Sequence, residues 1–111
     1  LPSRETLALT RTLLACLRRQ PAPAVAALGH GLDWLREVDL RPLLPTMTTR
    51  SLLIHGENDR LNPVAAAQSL STTLPDARLE VFAGAGHAPF LTDPEHFVQL
   101  VENFCHARPA T

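Results

Sequence analysis

The spacing of apolar positions changes character near the middle of the chain. Leu7, Leu13, Leu14 and Leu17 recur close to helical spacing behind Ser3, whose side-chain oxygen suits a cap, so a helix is predicted over residues 3–19. Arg4, Arg11 and Arg18 stand seven apart on one face of it, away from most of the leucines. Pro21 and Pro23 break the pattern. Residues 24–28 predict a short helical turn closed by Gly29 and Gly31. Residues 33–38 predict a second short helix with Trp34 and Leu35 as its apolar contacts. The proline-punctuated stretch 39–45 reads as an irregular connection.

From Ser51 onward short apolar runs alternate with helical stripes. Ser51–Gly56 is apolar until its closing His-Gly, as suits a parallel strand covered on both faces. Asn62 is placed to cap a helix that has Pro63 in its first turn and an inward stripe of Val64, Ala67, Leu70 and Leu74. Pro75 and Asp76 make a turn, and residues 79–83 predict a second strand. A glycine-containing loop, 84–86, leads to His87. Asp93 and Pro94 open a final helix with Phe97, Leu100, Val101, Phe104 and Cys105 on one face.

Strand, helix, strand, loop, helix is the alternation of a parallel α/β sheet. The expected organisation is therefore a helical lid or cap segment with its connection over 1–45, followed by an α/β part over 46–111. At 111 residues the chain has room for one small domain. Hydrophobic residues make up 45% and charged residues 19%, a globular composition. The net charge of −1 supplies no global pull toward nucleic acid or an anionic membrane. No apolar run reaches the length of a membrane span and no charged-then-apolar leader is seen, so the expected compartment is the cytoplasm. Cys16 and Cys105 lie within apolar helical patterns and are expected to be small buried hydrophobes. The first residue is Leu1 and not Met, and the chain is expected to be a piece of a longer protein.

Two loops follow the carboxyl ends of the predicted strands, the edge at which open α/β sheets bind ligands. Residues 56–63 read Gly-Glu-Asn-Asp-Arg-Leu-Asn-Pro, and residues 84–90 read Gly-Ala-Gly-His-Ala-Pro-Phe. Alone, Asp59 would be an ordinary turn residue and His87 an ordinary loop histidine. Placed after successive strands, an acid and a histidine can meet. A carboxylate that accepts the Nδ1–H of an imidazole fixes its tautomer and leaves Nε2 as a general base. Glu57 is the rival acid, although the spacing to Gly56 and Pro63 favours Asp59. The five histidines and two cysteines show no converging metal-ligand spacing, and no metal site is expected.

The pattern His-Gly-x-x-Asp-x-x-x-Pro over 55–63, followed by a strand, Gly-x-Gly-His and a closing helix, resembles the C-terminal portion of α/β-hydrolases. That fold carries its triad in the order Ser, Asp or Glu, His. The resemblance implies Asp59 as the triad acid and His87 as the base. Residues 31–41, Gly-Leu-Asp-Trp-Leu-Arg-Glu-Val-Asp-Leu-Arg, and residues 86–90, Gly-His-Ala-Pro-Phe, are further similar to the pimeloyl-acyl-carrier-protein methyl ester esterases, the carboxylesterase family of biotin synthesis. The similarity extends over about residues 5–106. It implies an ester substrate carried on an acyl carrier protein, hydrolysis through an acyl-enzyme, and no cofactor.

One departure stands out. The family's nucleophile is a Ser within Gly-x-Ser-x-Gly, and Ser3, Ser51, Ser69 and Ser71 all lack flanking glycines. The chain alone is thus expected to be inactive, with a complementary N-terminal half supplying the nucleophile. Other α/β-hydrolase chemistries (dehalogenation, epoxide opening, C–C hydrolysis) and a non-catalytic interaction module remain alternatives, separated by the nucleophile residue itself. Phe90, just past the base, either lines the acyl pocket with His87 or is a plain core phenylalanine. Trp34 is expected to staple the lid. The Arg4, Arg11, Arg18 stripe is either a solvated face or, as the resemblance implies, a docking surface for an acidic carrier protein. His55 is expected to pack or hydrogen-bond behind the acid loop.

Overall fold

A computed structural model of the chain describes residues 3–107. The chain divides into two compact units, Leu1–Val38 and Asp39–Thr111. In the first, helix α1 spans Arg4–Arg19. Its N-cap is Ser3, whose hydroxyl accepts the Thr6 N–H at 3.1 Å, satisfying a donor that the first turn leaves free. Helix α2 spans Val25–Glu37 without interruption. A turn and a separate short helix were expected here. Gly29 and Gly31 lie inside the helix, because glycine costs a helix about 1 kcal/mol but leaves its N–H ladder intact, whereas proline would break it.

The second unit opens on a 3₁₀ helix, Arg41–Thr46, where an irregular connection was expected. Asp39 organises its start: Oδ1 accepts the Arg41 N–H at 3.0 Å, and Nε and Nη2 of Arg41 donate to the same carboxylate. Strand β1, Ser51–Gly56, pairs in parallel with β2, Ala77–Phe82, in the register Ser51 to Ala77 through Gly56 to Phe82. Strand β2 thus begins two residues before the expected 79–83, because ladder partners for Ser51 and Leu52 come from Ala77 and Arg78 whatever their polarity.

Helix α3, Val64–Thr73, is the crossover between the strands. It packs on both of them, and its Ala67 is buried together with Leu74 just beyond its end, Phe82 and Ala85. Pro63, not Asn62, is its N-cap, and no side chain caps it. A one-turn helix that the sequence pattern did not suggest, α4 (Pro89–Thr92), precedes α5, Pro94–His106. Asp93 caps α5, accepting the His96 N–H at 3.2 Å. At the far end of α5, Arg50 donates to the carbonyls of Phe104 (2.8 Å) and Ala107 (2.9 Å), with its guanidinium 4.3 Å from the Phe104 ring centre. A cation here satisfies carbonyls that the last turn leaves without partners.

Burial is lighter than the apolar pattern suggested. Strand β1 is half-buried over residues 51–55 and fully buried only at Gly56, since two strands with α3 and α4 against them cannot cover a strand on every side. Cys16 and Cys105 are both exposed, contrary to the buried positions expected. Helix α1 buries no residue, and α5 only partly covers Phe97, Leu100 and Phe104. Among the described residues, no helix is long and apolar enough to cross a membrane.

Candidate active site

The loops after β1 and β2 are joined by backbone hydrogen bonds. The Glu57 N–H donates to the Phe82 carbonyl at 3.0 Å, continuing the sheet ladder past its end. The Asn58 N–H then donates to Ala85 O at 2.8 Å, and the Asp59 N–H turns back to Gly56 O at 3.2 Å. The loops lie so close at Gly56 that a Cβ there would stand 2.6 Å from the Ala85 carbonyl oxygen and nearer still to that of Gly86. Only glycine fits such an approach. Gly84, with φ +70°, turns the second loop in the left-handed region that also favours glycine.

This arrangement puts Asp59 against His87. Oδ2 of Asp59 lies 2.9 Å from Nδ1 of His87. Oδ1 accepts two backbone N–H groups of its own loop, from Leu61 at 2.8 Å and Asn62 at 3.0 Å. His55 approaches from the preceding strand, its Nε2 at 2.7 Å from Asn62 O and 3.5 Å from Asp59 Oδ2. A carbonyl oxygen only accepts, so Nε2 of His55 carries the proton in that bond. The Asp59 side chain is 3% exposed, while the His87 side chain is 54% exposed. One group is fixed and shielded; the other presents its ring to the outside.

The electrostatics agree with the geometry. The Asp59 carboxyl is lowered from its ordinary value to about 2, first by the Asn62 N–H and then by His87 and the Leu61 N–H, against the opposing effect of desolvation. It is therefore ionised throughout the neutral range and acts only as an acceptor. Nδ1 of His87 must then be the donor, and a neutral His87 has its lone pair on the exposed Nε2. Such a pair can accept a proton at Nε2 and stabilise the resulting imidazolium.

The other candidate residues fall elsewhere. Glu57 does not face His87; its Oε2 accepts the Gly84 N–H at 2.8 Å. Phe90 is half exposed and meets Phe97 edge-on, with ring centres 5.9 Å apart at 64°. Trp34 is largely exposed on α2. Arg4, Arg11 and Arg18 are exposed on α1, in the other compact unit. His96 stacks on Phe82, centroids 4.5 Å apart and planes within 16°. His106 holds the Glu102 carbonyl through Nδ1 at 2.7 Å. No three of His, Cys, Asp and Glu gather as metal ligands among the described residues.

A strand-end acid thus faces a histidine one parallel strand further on. The model of the alpha/beta hydrolase family matches residues 2–100. The chain belongs to that family. It is 50% identical over 78 residues to the pimeloyl-acyl-carrier-protein methyl ester esterase of Aromatoleum aromaticum, across 70% of this chain and 31% of that protein. The identically named protein of Nitrosomonas europaea is 49% identical over 86 residues, 78% of this chain and 34% of its own length. Among solved structures, an esterase from Exiguobacterium antarcticum superposes with a TM-score of 0.63 at 34% identity, covering 66% of this chain and 27% of that one. An alpha/beta hydrolase from a metagenome of Mar Chica lagoon sediments gives a TM-score of 0.59 at 34% identity, over 63% of this chain and 32% of that one. The chain thus spans about a third of the length of the curated relatives it matches.

Proposed function

We propose that this α/β-hydrolase chain carries the acid and base of a serine carboxylesterase, within a longer protein whose remaining part supplies the nucleophile and its oxyanion hole. The observation behind this reading is the 2.9 Å contact between a shielded, ionised Asp59 and an exposed His87. In this scheme His87 Nε2 takes the proton of the attacking serine and returns it to the leaving alcohol. It then activates the water that releases the acyl group. Asp59 holds the ring in the productive tautomer and stabilises the imidazolium. No cofactor is needed for these steps. The names of the relatives support the methyl ester of a pimeloyl group on acyl carrier protein as the substrate.

Residues 1–45 are then a helical lid, with Arg4, Arg11 and Arg18 as a cationic face for the acidic carrier and Phe90 beside the acyl chain. A cytoplasmic location for the protein belongs to the same proposal. The test uses the full-length hydrolase that contains this chain and a pimeloyl carrier-protein methyl ester, with p-nitrophenyl butyrate as a second substrate. His87→Ala and Asp59→Asn are each expected to lower kcat about 1,000-fold or more while the protein stays folded. Near-normal kcat in Asp59→Asn would remove Asp59 from the mechanism.

A further inference from the structure

The loop bearing His87 is held by more than backbone pairing. Gly84 stands at the apex of the turn between β2 and His87, with a positive φ. Its flanking backbone groups are engaged: Ala85 N–H donates to Phe82 O at 3.2 Å, and Ala85 O accepts from Asn58 N–H at 2.8 Å. The Gly84 N–H itself points at the acid loop and meets Oε2 of Glu57 at 2.8 Å. The backbone N–H of the same Glu57 donates to Phe82 O at 3.0 Å. Glu57 and Asn58 therefore hold the turn at three points: the Phe82 carbonyl, the Gly84 N–H and the Ala85 carbonyl. Two of these bonds belong to the backbone and do not depend on side-chain identity, proline excepted. The third is the only one that depends on a side chain, and a charged acceptor makes it the stronger kind.

We propose that Glu57 is a positioning residue for the base. It pins the apex of the Gly84 turn so that His87, three residues on, keeps its Nδ1 on Asp59 and its Nε2 aimed outward. The inference rests on the Asp59–His87 reading and assigns the neighbouring carboxylate a separate task. Glu57 neither orients the imidazole directly nor exchanges a proton; it needs only an acceptor oxygen at the right reach. This requirement distinguishes it from a charge or an acid. Glutamine keeps the reach and the acceptor while losing the charge. Aspartate keeps the charge but is one methylene too short.

The experiment compares E57Q, E57D, E57A and D59N in the full-length hydrolase containing this chain, with kcat and KM measured on p-nitrophenyl butyrate and melting temperatures taken alongside. Glu57 is exposed, so its three variants are expected to fold, and D59N keeps the size and one acceptor oxygen of the Asp59 side chain, with its melting temperature reporting any loss. The expected result is a kcat about tenfold lower in E57A and E57D, KM within about twofold of the parent, and recovery of most of that loss in E57Q, as befits the loss and return of one hydrogen bond. The opposite order, with E57D more active than E57Q, would overturn the proposal by making charge the requirement. An E57A with the parent's kcat would also overturn it. The D59N arm reports on the underlying reading: full activity there sinks the acid assignment itself, whatever the Glu57 series gives.

Discussion

Two backbone N–H groups hold Oδ1 of Asp59 while Oδ2 faces the imidazoles of His87 and His55. That division gives the residue a pH signature. Its folded-state carboxyl is lowered to about 2, with the Asn62 N–H the first cause, while an unfolded chain carries an ordinary aspartate near 3.9. As pH falls, the unfolded state takes up the proton first, so the stabilisation is complete above about pH 4 and is lost toward about pH 2. In the full-length protein, urea unfolding of wild type and Asp59→Asn should show a stability gap that narrows across that window. A gap that stays constant from pH 5 to pH 2 would mean the carboxylate is not held as described. The same depression keeps Asp59 ionised at every pH where esterases are assayed, so an acid limb of kcat/KM above pH 4 belongs to another group. The meeting of Asp59 and His87 was legible in the sequence because both residues follow the carboxyl ends of successive parallel strands. The contact of Glu57 was not. Its partner is a backbone N–H 27 residues away, and a glutamate in a polar loop carries no mark of which donor it will meet.

Elements were legible where one local force decides them. Ser51–Gly56 falls on the bounds read from its apolar run, because that run ends at a glycine which the sheet edge requires. Ser3 caps α1 as its hydroxyl chemistry dictates. The misses came from competition. Asn62 did not cap α3: Asp59 takes its N–H, His55 takes its carbonyl, and the helix begins behind Pro63 instead. Helix α2 ran through two glycines because nothing in residues 25–37 removes a ladder N–H. Arg50 and its hold on the end of α5 span more than fifty residues, beyond any local pattern. The junction of the two loops offers the sharpest test at this scale. A methyl group at Gly56 would collide with two backbone carbonyls, which cannot swing aside as a side chain does. Gly56→Ala must therefore part the loops, separating His87 from Asp59. In the full-length protein we expect a destabilisation of about 1–3 kcal/mol, typical of overpacking, together with a fall in kcat of about 100-fold. A G56A protein with the parent's melting temperature and kcat would show that the loops have slack.

The described residues are poorly covered for the chain's composition. Its buried apolar residues are few and mostly small (Ala67, Leu74, Phe82 and Ala85), while Leu13, Leu14, Leu17, Val25, Trp34, Leu35 and Leu61 are among many left exposed. Two strands are too few for a parallel sheet to stand alone in water, since parallel sheets depend on cover over both faces. Among the described residues, each strand of the order β1–β2 has one edge without a ladder partner, and such an edge is a template for pairing with another chain. A small chain also buries a lower fraction of its surface on folding. The relatives, about three times as long as the stretch they share with it, indicate what would provide the cover. We therefore expect the 111-residue polypeptide, expressed by itself, to associate or to bind a complementary segment of the hydrolase, and not to persist as a compact monomer. It should also fail to hydrolyse p-nitrophenyl butyrate, because acid and base without a nucleophile leave the reaction without its first step. Size-exclusion chromatography with light scattering, a thermal melt and the ester assay test this together. A monomer at tens of micromolar with a sharp cooperative melt would establish a self-sufficient domain, and turnover abolished by His87→Ala would reveal a nucleophile within this chain.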